Sequence, residues 1–562
     1  MKNEQLIAIA VIVVIVAGGL YYFWSSAPSP SPSPSPSPSP SPTPVVEPQY
    51  GGTIRYAQDG SVRNLDPFFT TRISSLGQHY GEPLVVMLRN GTIVGCLAES
   101  WDISSDGLEY IFHLRKGVKF HCGREFDAED AKFNLEYLAG IISPLGVKTG
   151  LTKTFSLGNI EKVDIIDDYT VKVTMKKQFG AFLGALTDPY LMMVCKECYL
   201  EKLETYADEP CGTGAYELTE WEKDSYLLFE RFDDYWQGKA YADAIRVEVI
   251  PDMSSRMMAL ESGEVDIANS PGPFEEINRL REKGYELNEG PVPIRVIRLV
   301  INARWWPGNN TDFRRALFMA INYTEALKLV LGPQTETTDL CWPEGHWCHD
   351  PENQELFDEL YPYDPVEAKR IIDELKAERP LDYHGKLLFT SWKGHEFLAL
   401  IEYVVNEWKL LGVPCEIQMT EAGQKYEVMG QTGPGDMDFI FYHFYIYEPL
   451  MVYRSFHSLS GRSVIDGMSY IGLNDSYVDE LIDMGVEVAP ELRAQVYQDL
   501  EKYLLEGYWH LPVEASGNQI LVRPEVDHLR DGYGAKSGPF GRAHWICYNP
   551  IWNQAWWFKP EQ

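Results

Sequence analysis

GCLAESWDISSDGLEYIFHLRKGVKFHCGREFDAEDAKFN, residues 95 to 134, carries three kinds of local signal. Tyr110-Ile-Phe-His-Leu-Arg115 alternates apolar and polar side chains, the two-residue period of a half-buried strand. Val118-Lys-Phe120 resumes the alternation, so a hairpin turning near Gly117 is expected. Asp127 stands where a short acceptor can cap the helix AEDAKFNLEYL, and Asp130 suits that helix's positive end. Trp101, Tyr110, Phe112, Leu114 and Phe120 are expected in a core, and Gly107, Gly117 and Gly123 at turns.

Outward from this stretch the same grammar continues. Lys162 to Met175 reads as a hairpin turning at Asp167-Asp168. A helix over Ser255–Ser262 stops at Gly263, and Asp364-Pro365 opens another as N-cap and first-turn residue. Glu396–Leu411 ends at Gly412, and Glu491–Leu505 ends near Gly507. No short fixed repeat runs through the chain, which excludes solenoids and propellers. Mixed strands and helices suggest open sheets flanked by helices.

The chain has 562 residues, too many for one hydrophobic core. Its 49 basic and 82 acidic residues give a formal charge of −33, which repels nucleic acid and anionic lipid. Leu6 to Trp24, LIAIAVIVVIVAGGLYYFW, carries no charge and would span about 28 Å as a helix, close to a bilayer core. Tyr21 to Trp24 suit its interface. A retained N-terminal anchor over residues 1–24 is expected, with a cleaved signal as the alternative. The Ser/Pro-rich segment 25–48 follows, and its alternating prolines favour a semi-rigid stalk of roughly 50 Å. Its hydroxyls suit O-glycosylation. The remainder, 49–562, is placed on the extracellular face of the membrane.

Nine cysteines are an odd number for an oxidising exterior. Cys195-x-x-Cys198 with Cys211 nearby admits one disulfide and a free thiol. Cys341, His346, Cys348 and His349 lie within nine residues, as a small loop disulfide or a zinc site. The spacing matches no established zinc pattern, so no metal or other cofactor is assigned. Nucleophile elbow, P-loop, dinucleotide fingerprint and H-E-x-x-H are all missing. A secreted hydrolase would need a nucleophile or metal, so binding is favoured over catalysis.

The opening stretch strongly resembles the signature of the family 5 solute-binding proteins of ABC transporters, the dipeptide-, oligopeptide- and nickel-binding group. Further marks follow in order: Gly51 to Tyr56, Leu65-Asp-Pro67, Gly212 to Tyr216, Asp234 to Gly238, Ala259 to Ile267, Phe313 to Asn322 and Tyr363 to Lys369. The resemblance covers about residues 50 to 555. It implies an α/β periplasmic-binding-protein-like clamshell with two main lobes and an additional inserted one. The first main lobe is expected over 50–85, 210–295 and 508–562, the inserted lobe over 86–209, and the second main lobe over 296–507. It also implies a monomeric, non-enzymatic protein that holds a small ligand between its lobes and delivers it to ABC permease subunits. A surface receptor without transport is the rival.

In peptide-binding members a pattern resembling W-x-x-D-x-x-[DE]-P supplies the aspartate that grips the ligand's ammonium. The stretch FYHFYIYEP, residues 441–449, aligns Tyr442 with the tryptophan and Tyr445 with the aspartate. A slip of three residues would make Glu448 the acid instead. Strand alternation directs Phe444 and Ile446 inward, and Tyr445 and Tyr447 toward the cleft. Rings there can hold a cation or stack on a sugar, so peptide is the default ligand and oligosaccharide the alternative. A nickel chelate at His443 is the lesser possibility. By the same resemblance Thr71, Arg72 and Ile73 follow Leu65-Asp-Pro67 where peptide binders touch the ligand backbone, and Arg72 suits a ligand carboxylate. Trp305 and Trp306, after a predicted strand, are further cleft candidates.

Overall fold

A computed structural model describes residues 50–528 and 556–558, less 61, 63, 70–73, 88–91, 147–156, 270–273, 289–294, 333–336, 384–385, 393–397, 421–438, 446–448, 453–455, 459–472 and 517–519. The described residues all belong to one compact unit. The expected anchor and stalk, residues 1–48, lie outside the described residues. Among those described, no helix is long and apolar enough to cross a membrane.

Three principal sheets organise the chain. The seven-stranded sheet runs in the order Glu286–Asn288, Ile520–Val522, Ile267–Asn269, Thr53–Gln58, Ala244–Val249, Tyr226–Arg231, Tyr216–Glu222. The five-stranded sheet runs Cys415–Thr420, Leu387–Trp392, Phe439–Tyr445, Arg295–Ile301, His510–Ser516. A four-stranded antiparallel sheet runs Ala98–Ile103, Glu109–Leu114, Thr170–Met175, Ile160–Asp167. By hydrogen bonding, His510–Ser516 belongs with Arg295–Ile301, so the chain leaves the five-stranded sheet after Ser516 rather than near 508.

Both larger sheets are buried on two faces, as helix-covered sheets must be. Ile54 and Tyr56 enter one core while Ala57 enters another with Leu260, Ala268, Leu280 and Leu521. In the five-stranded sheet Ile297, Leu299 and Ile301 face one core, and Val296 and Val300 the other. The four-stranded sheet has no core to itself: Phe112, Leu114, Val163 and Val173 share a continuous core with Ile54, Tyr56 and Val247.

Local chemistry accounts for the element boundaries. Asp127 accepts from the backbone N–H of Glu129 and Asp130, and Asp130 bonds back to the Asp127 N–H, a reciprocal capping box. The hairpin at Asp167-Asp168 forms as expected. Gly263 ends the Met253–Ser262 helix at φ 81°, a left-handed conformation that favours glycine. One expectation fails. Val118–Phe120 is not the second strand of a hairpin; Glu109–Leu114 pairs with Ala98–Ile103 and Thr170–Met175, and only Lys119 bridges Glu125. The strand already has a partner on each edge, so the segment after Gly117 has no free ladder to join.

Candidate functional site

The run FYHFY becomes part of the central strand Phe439–Tyr445, parallel to Leu387–Trp392 and antiparallel to Arg295–Ile301. Its register sets Tyr442 opposite Arg298 and Tyr445 opposite Arg295. Tyr445 is thus the last residue of the strand, at the sheet end where Arg295 begins its strand and Ser516 finishes another. Pro449 then opens a 3-10 turn, Pro449–Val452.

From that end the chain passes to the seven-stranded sheet twice, through 289–294 and 517–519. On arrival it meets Asn288 and Ile520, which are paired with each other, and Ile520 pairs also with Asn269. Asn269 closes a strand parallel to Thr53–Gln58. The carboxyl ends of Thr53–Gln58, Ile267–Asn269, Leu387–Trp392, Cys415–Thr420 and Phe439–Tyr445 therefore all lie on the crossing side of their sheets. In open α/β sheets that is the side on which ligands bind.

Polar groups mark the seven-stranded side. Asn269 Nδ2 donates to Asp59 Oδ1 at 3.1 Å, and Asn269 Oδ1 is buried without a hydrogen-bond partner among the described residues. Gln58 Nε2 donates to the Gly60 carbonyl at 2.6 Å. Buried Arg256 holds the carbonyls of Ile250 and Pro251 at 2.8 and 2.9 Å, bracing the same rim. Asp59 and Asn269 were missed on sequence. They sit just past or at strand ends, and which strand ends meet is a property of topology, not of local pattern.

The sequence-predicted residues divide clearly. Tyr442 and Tyr445 lie in the central strand. Tyr447, Glu448, Thr71, Arg72 and Ile73 lie outside the described residues. Trp305 is 37% exposed, whereas Trp306 Nε1 donates to the Pro380 carbonyl at 2.9 Å and its ring packs on the core, a structural placement. His443 is in register with Ile297.

Among the described residues, Cys341, His346, Cys348 and His349 are not gathered as a set of metal ligands. Cys341 is buried with its Sγ 3.7 Å from the ring nitrogens of His510, while His349 Nδ1 contacts the Trp342 carbonyl at 3.0 Å. Cys341 is a free thiol, so the expected loop disulfide is not formed either. The loop instead completes a buried polar knot. Glu501 accepts the Cys341 N–H, and the Arg298 guanidinium lies 4.5 Å over the Phe456 ring. Burial pushes the Glu501 carboxyl up to about 8, and burial beside Arg298 holds His510 well below the usual imidazole range.

The quoted sequence marks mostly serve the scaffold. Glu82 is fully buried and accepts from Tyr235 Oη at 2.6 Å, Trp236 Nε1 at 2.8 Å and Thr213 Oγ1 at 2.8 Å. Gly212 and Gly214 press on the 79–81 backbone: a Cβ on Gly212 would stand 2.0 Å from the Tyr80 carbonyl oxygen. Arg314 is buried, and its guanidinium donates to Gly308, Gly507 and Tyr508 carbonyls at 2.9, 2.7 and 3.1 Å.

Two helix-flanked sheets joined by paired crossings, with strand ends turned toward them, define an α/β binding protein of the periplasmic-binding-protein-like class. Solved structures share the fold: a dipeptide-binding protein from Pseudoalteromonas sp. SM9913 (TM-score 0.77, 18% identity, 90% of this chain and 100% of that one) and the ABC transporter-associated periplasmic binding protein DppA of Helicobacter pylori, in complex with a peptide (0.75, 23%, 91% and 99%). The chain belongs to the bacterial extracellular solute-binding proteins, family 5, whose model, described as family 5 Middle, matches residues 92–458. Among curated relatives, the glutathione-binding protein GsiB of Escherichia coli (strain K12) is 28% identical over 374 residues, 64% of this chain and 68% of that protein. These relatives are substrate-binding proteins, not enzymes.

Proposed function

We propose that this chain is the extracellular substrate-binding component of an ABC importer, tethered by residues 1–48 and working as a monomer. The seven-stranded and five-stranded sheets are cores of two main lobes, and segment 86–209 is an inserted lobe fused to the first. Ligand is held between the main lobes, which close about it. The closed clamshell then presents the ligand to the permease subunits.

The observation that carries this is the convergence of strand carboxyl ends on the paired crossings, with Tyr445 closing one of them. A peptide-class ligand is favoured, since the relatives and structures above are named for glutathione, dipeptide or peptide. Tyr445 offers a phenol where the family pattern has an acid. Asp59, on the opposite sheet, supplies an acceptor for a ligand ammonium.

Thermal-shift screening of the full chain in detergent with glutathione, di- to tetrapeptides, oligosaccharides and nickel chelates tests the assignment. Peptides should raise the melting temperature, and Asp59→Asn should weaken them about tenfold. An oligosaccharide ligand is the second reading, favoured by five rings within residues 441–449 and by exposed Trp305. Shifts with sugars and none with peptides would establish it and sink the first.

A further inference from the structure

The fold gathers four cysteines that are far apart in sequence. Cys122 lies on the turn after Phe120, Cys195 and Cys198 bracket the start of the Lys196–Glu201 helix, and Cys211 precedes the Gly212-Thr213-Gly214 contact with residues 79–81. Their four Sγ atoms all lie within 4.8 Å of one another, with Cys122 to Cys195 at 3.9 Å. All four are free thiols. A divalent ion bound at about 2.3 Å to four thiolates sets sulfurs about 3.8 Å apart, so a small contraction of the observed cluster gives a tetrahedron. Polynuclear iron–sulfur cores need more widely spaced sulfurs.

We propose that Cys122, Cys195, Cys198 and Cys211 form a mononuclear tetrathiolate site for a soft divalent cation, zinc, which pins the exit of the 86–209 segment to the seven-stranded sheet. The surroundings suit a site of net charge −2. Arg124 Nε stands 3.5 Å from Cys195 Sγ. Thiols bind such an ion as thiolates, so their protons leave as the ion enters. Cys122 is exposed, which opens a path for ion and protons.

The site is structural and independent of which ligand the cleft holds. Full-length protein, produced with supplementary zinc and purified without chelator under anaerobic conditions, should contain about one zinc per chain by elemental mass spectrometry. Cys122→Ser, on an exposed turn, should lower occupancy at least about tenfold with the fold intact, as should Cys198→Ser. Cys415→Ser, at a buried thiol elsewhere that contacts the Val405 carbonyl, should retain full occupancy. Modifying the thiols with a mercurial should release the zinc stoichiometrically. Two disulfides among the four cysteines in non-reducing peptide mapping, with no bound zinc, would overturn the site. So would zinc content unchanged by Cys122→Ser and Cys198→Ser, or one equivalent of iron in its place.

Discussion

Glu82→Gln isolates what a buried carboxylate does at the junction between the 86–209 segment and the seven-stranded sheet. The group is fully buried, and burial drives its pKa from 4.5 to about 7 despite three donors that favour the anion. The folded state therefore holds the proton more tightly than the unfolded chain. Stability from this group is fully present below pH 4.5 and is lost as pH rises through 7. The 2.5-unit difference, at about 1.4 kcal/mol per unit, amounts to about 3 kcal/mol. Glutamine keeps the shape and one carbonyl acceptor and has nothing to ionise. Tyr235, whose hydroxyl can rotate to accept, meets the new amide.

Chemical denaturation of wild type and variant, followed by tryptophan fluorescence from pH 4.5 to 8.5, reads the effect as a difference. Other raised carboxyls, Glu501 at about 8 and Asp66 at about 6, titrate alike in both proteins and cancel. The stability gap should move by about 3 kcal/mol in favour of Glu82→Gln across that range. Parallel profiles would show that Glu82 stays ionised in the fold, and the burial reasoning would be wrong.

Three further outcomes are expected. Gly180→Ala places a Cβ 2.0 Å from the Val488 carbonyl, at a seam where Ala181 N–H donates to Val486 and Lys177 pairs with Glu487; it should weaken ligand binding about tenfold by calorimetry while the melting temperature moves little, and unchanged affinity would mean the seam plays no part in closure. Arg314→Lys loses the fork that grips three carbonyls and stacks 4.0 Å over Trp509, so about 3 kcal/mol of stability should go; a loss under 1 kcal/mol by denaturation would show water replacing it. Tyr445→Asp should tighten peptides with a free ammonium about tenfold in titration calorimetry and leave N-acetylated peptides unchanged; equal effects on both would place Tyr445 away from the ammonium.

Features set by residues close in sequence were legible in advance. Asp127 with Asp130, the hairpin at Asp167-Asp168 and the Asp364 cap all depend on contacts within a turn or two. Long-range placement was not. Val118–Phe120 has strand chemistry, but whether it pairs depends on whether Glu109–Leu114 still has an open edge. Glu82 stands alone in sequence, and its partners Thr213, Tyr235 and Trp236 lie more than a hundred residues away inside stretches that marked the family without showing why. Cys195, Cys198 and Cys211 drew notice by their spacing, whereas Cys122, 73 residues before Cys195, joins them only through tertiary folding.

The same distinction separates scaffold from specificity in the cleft. Glu82, Arg314 and Gly212 are held by several contacts at once, each with a fixed partner, so almost any substitution leaves buried groups without partners. Residues at strand carboxyl ends are different. Tyr445 ends its ladder at Arg295, and Asn269 spends one amide hydrogen on Asp59 while its buried oxygen has no hydrogen-bond partner among the described residues. The backbone ladder fixes where such residues stand without dictating which side chain each carries. A family can therefore keep its marks and change its ligand by altering a few strand-end residues. If Tyr445 lines the cleft as proposed, the departure there bears on the ligand, while the near-complete signature at 95–134 bears only on the fold.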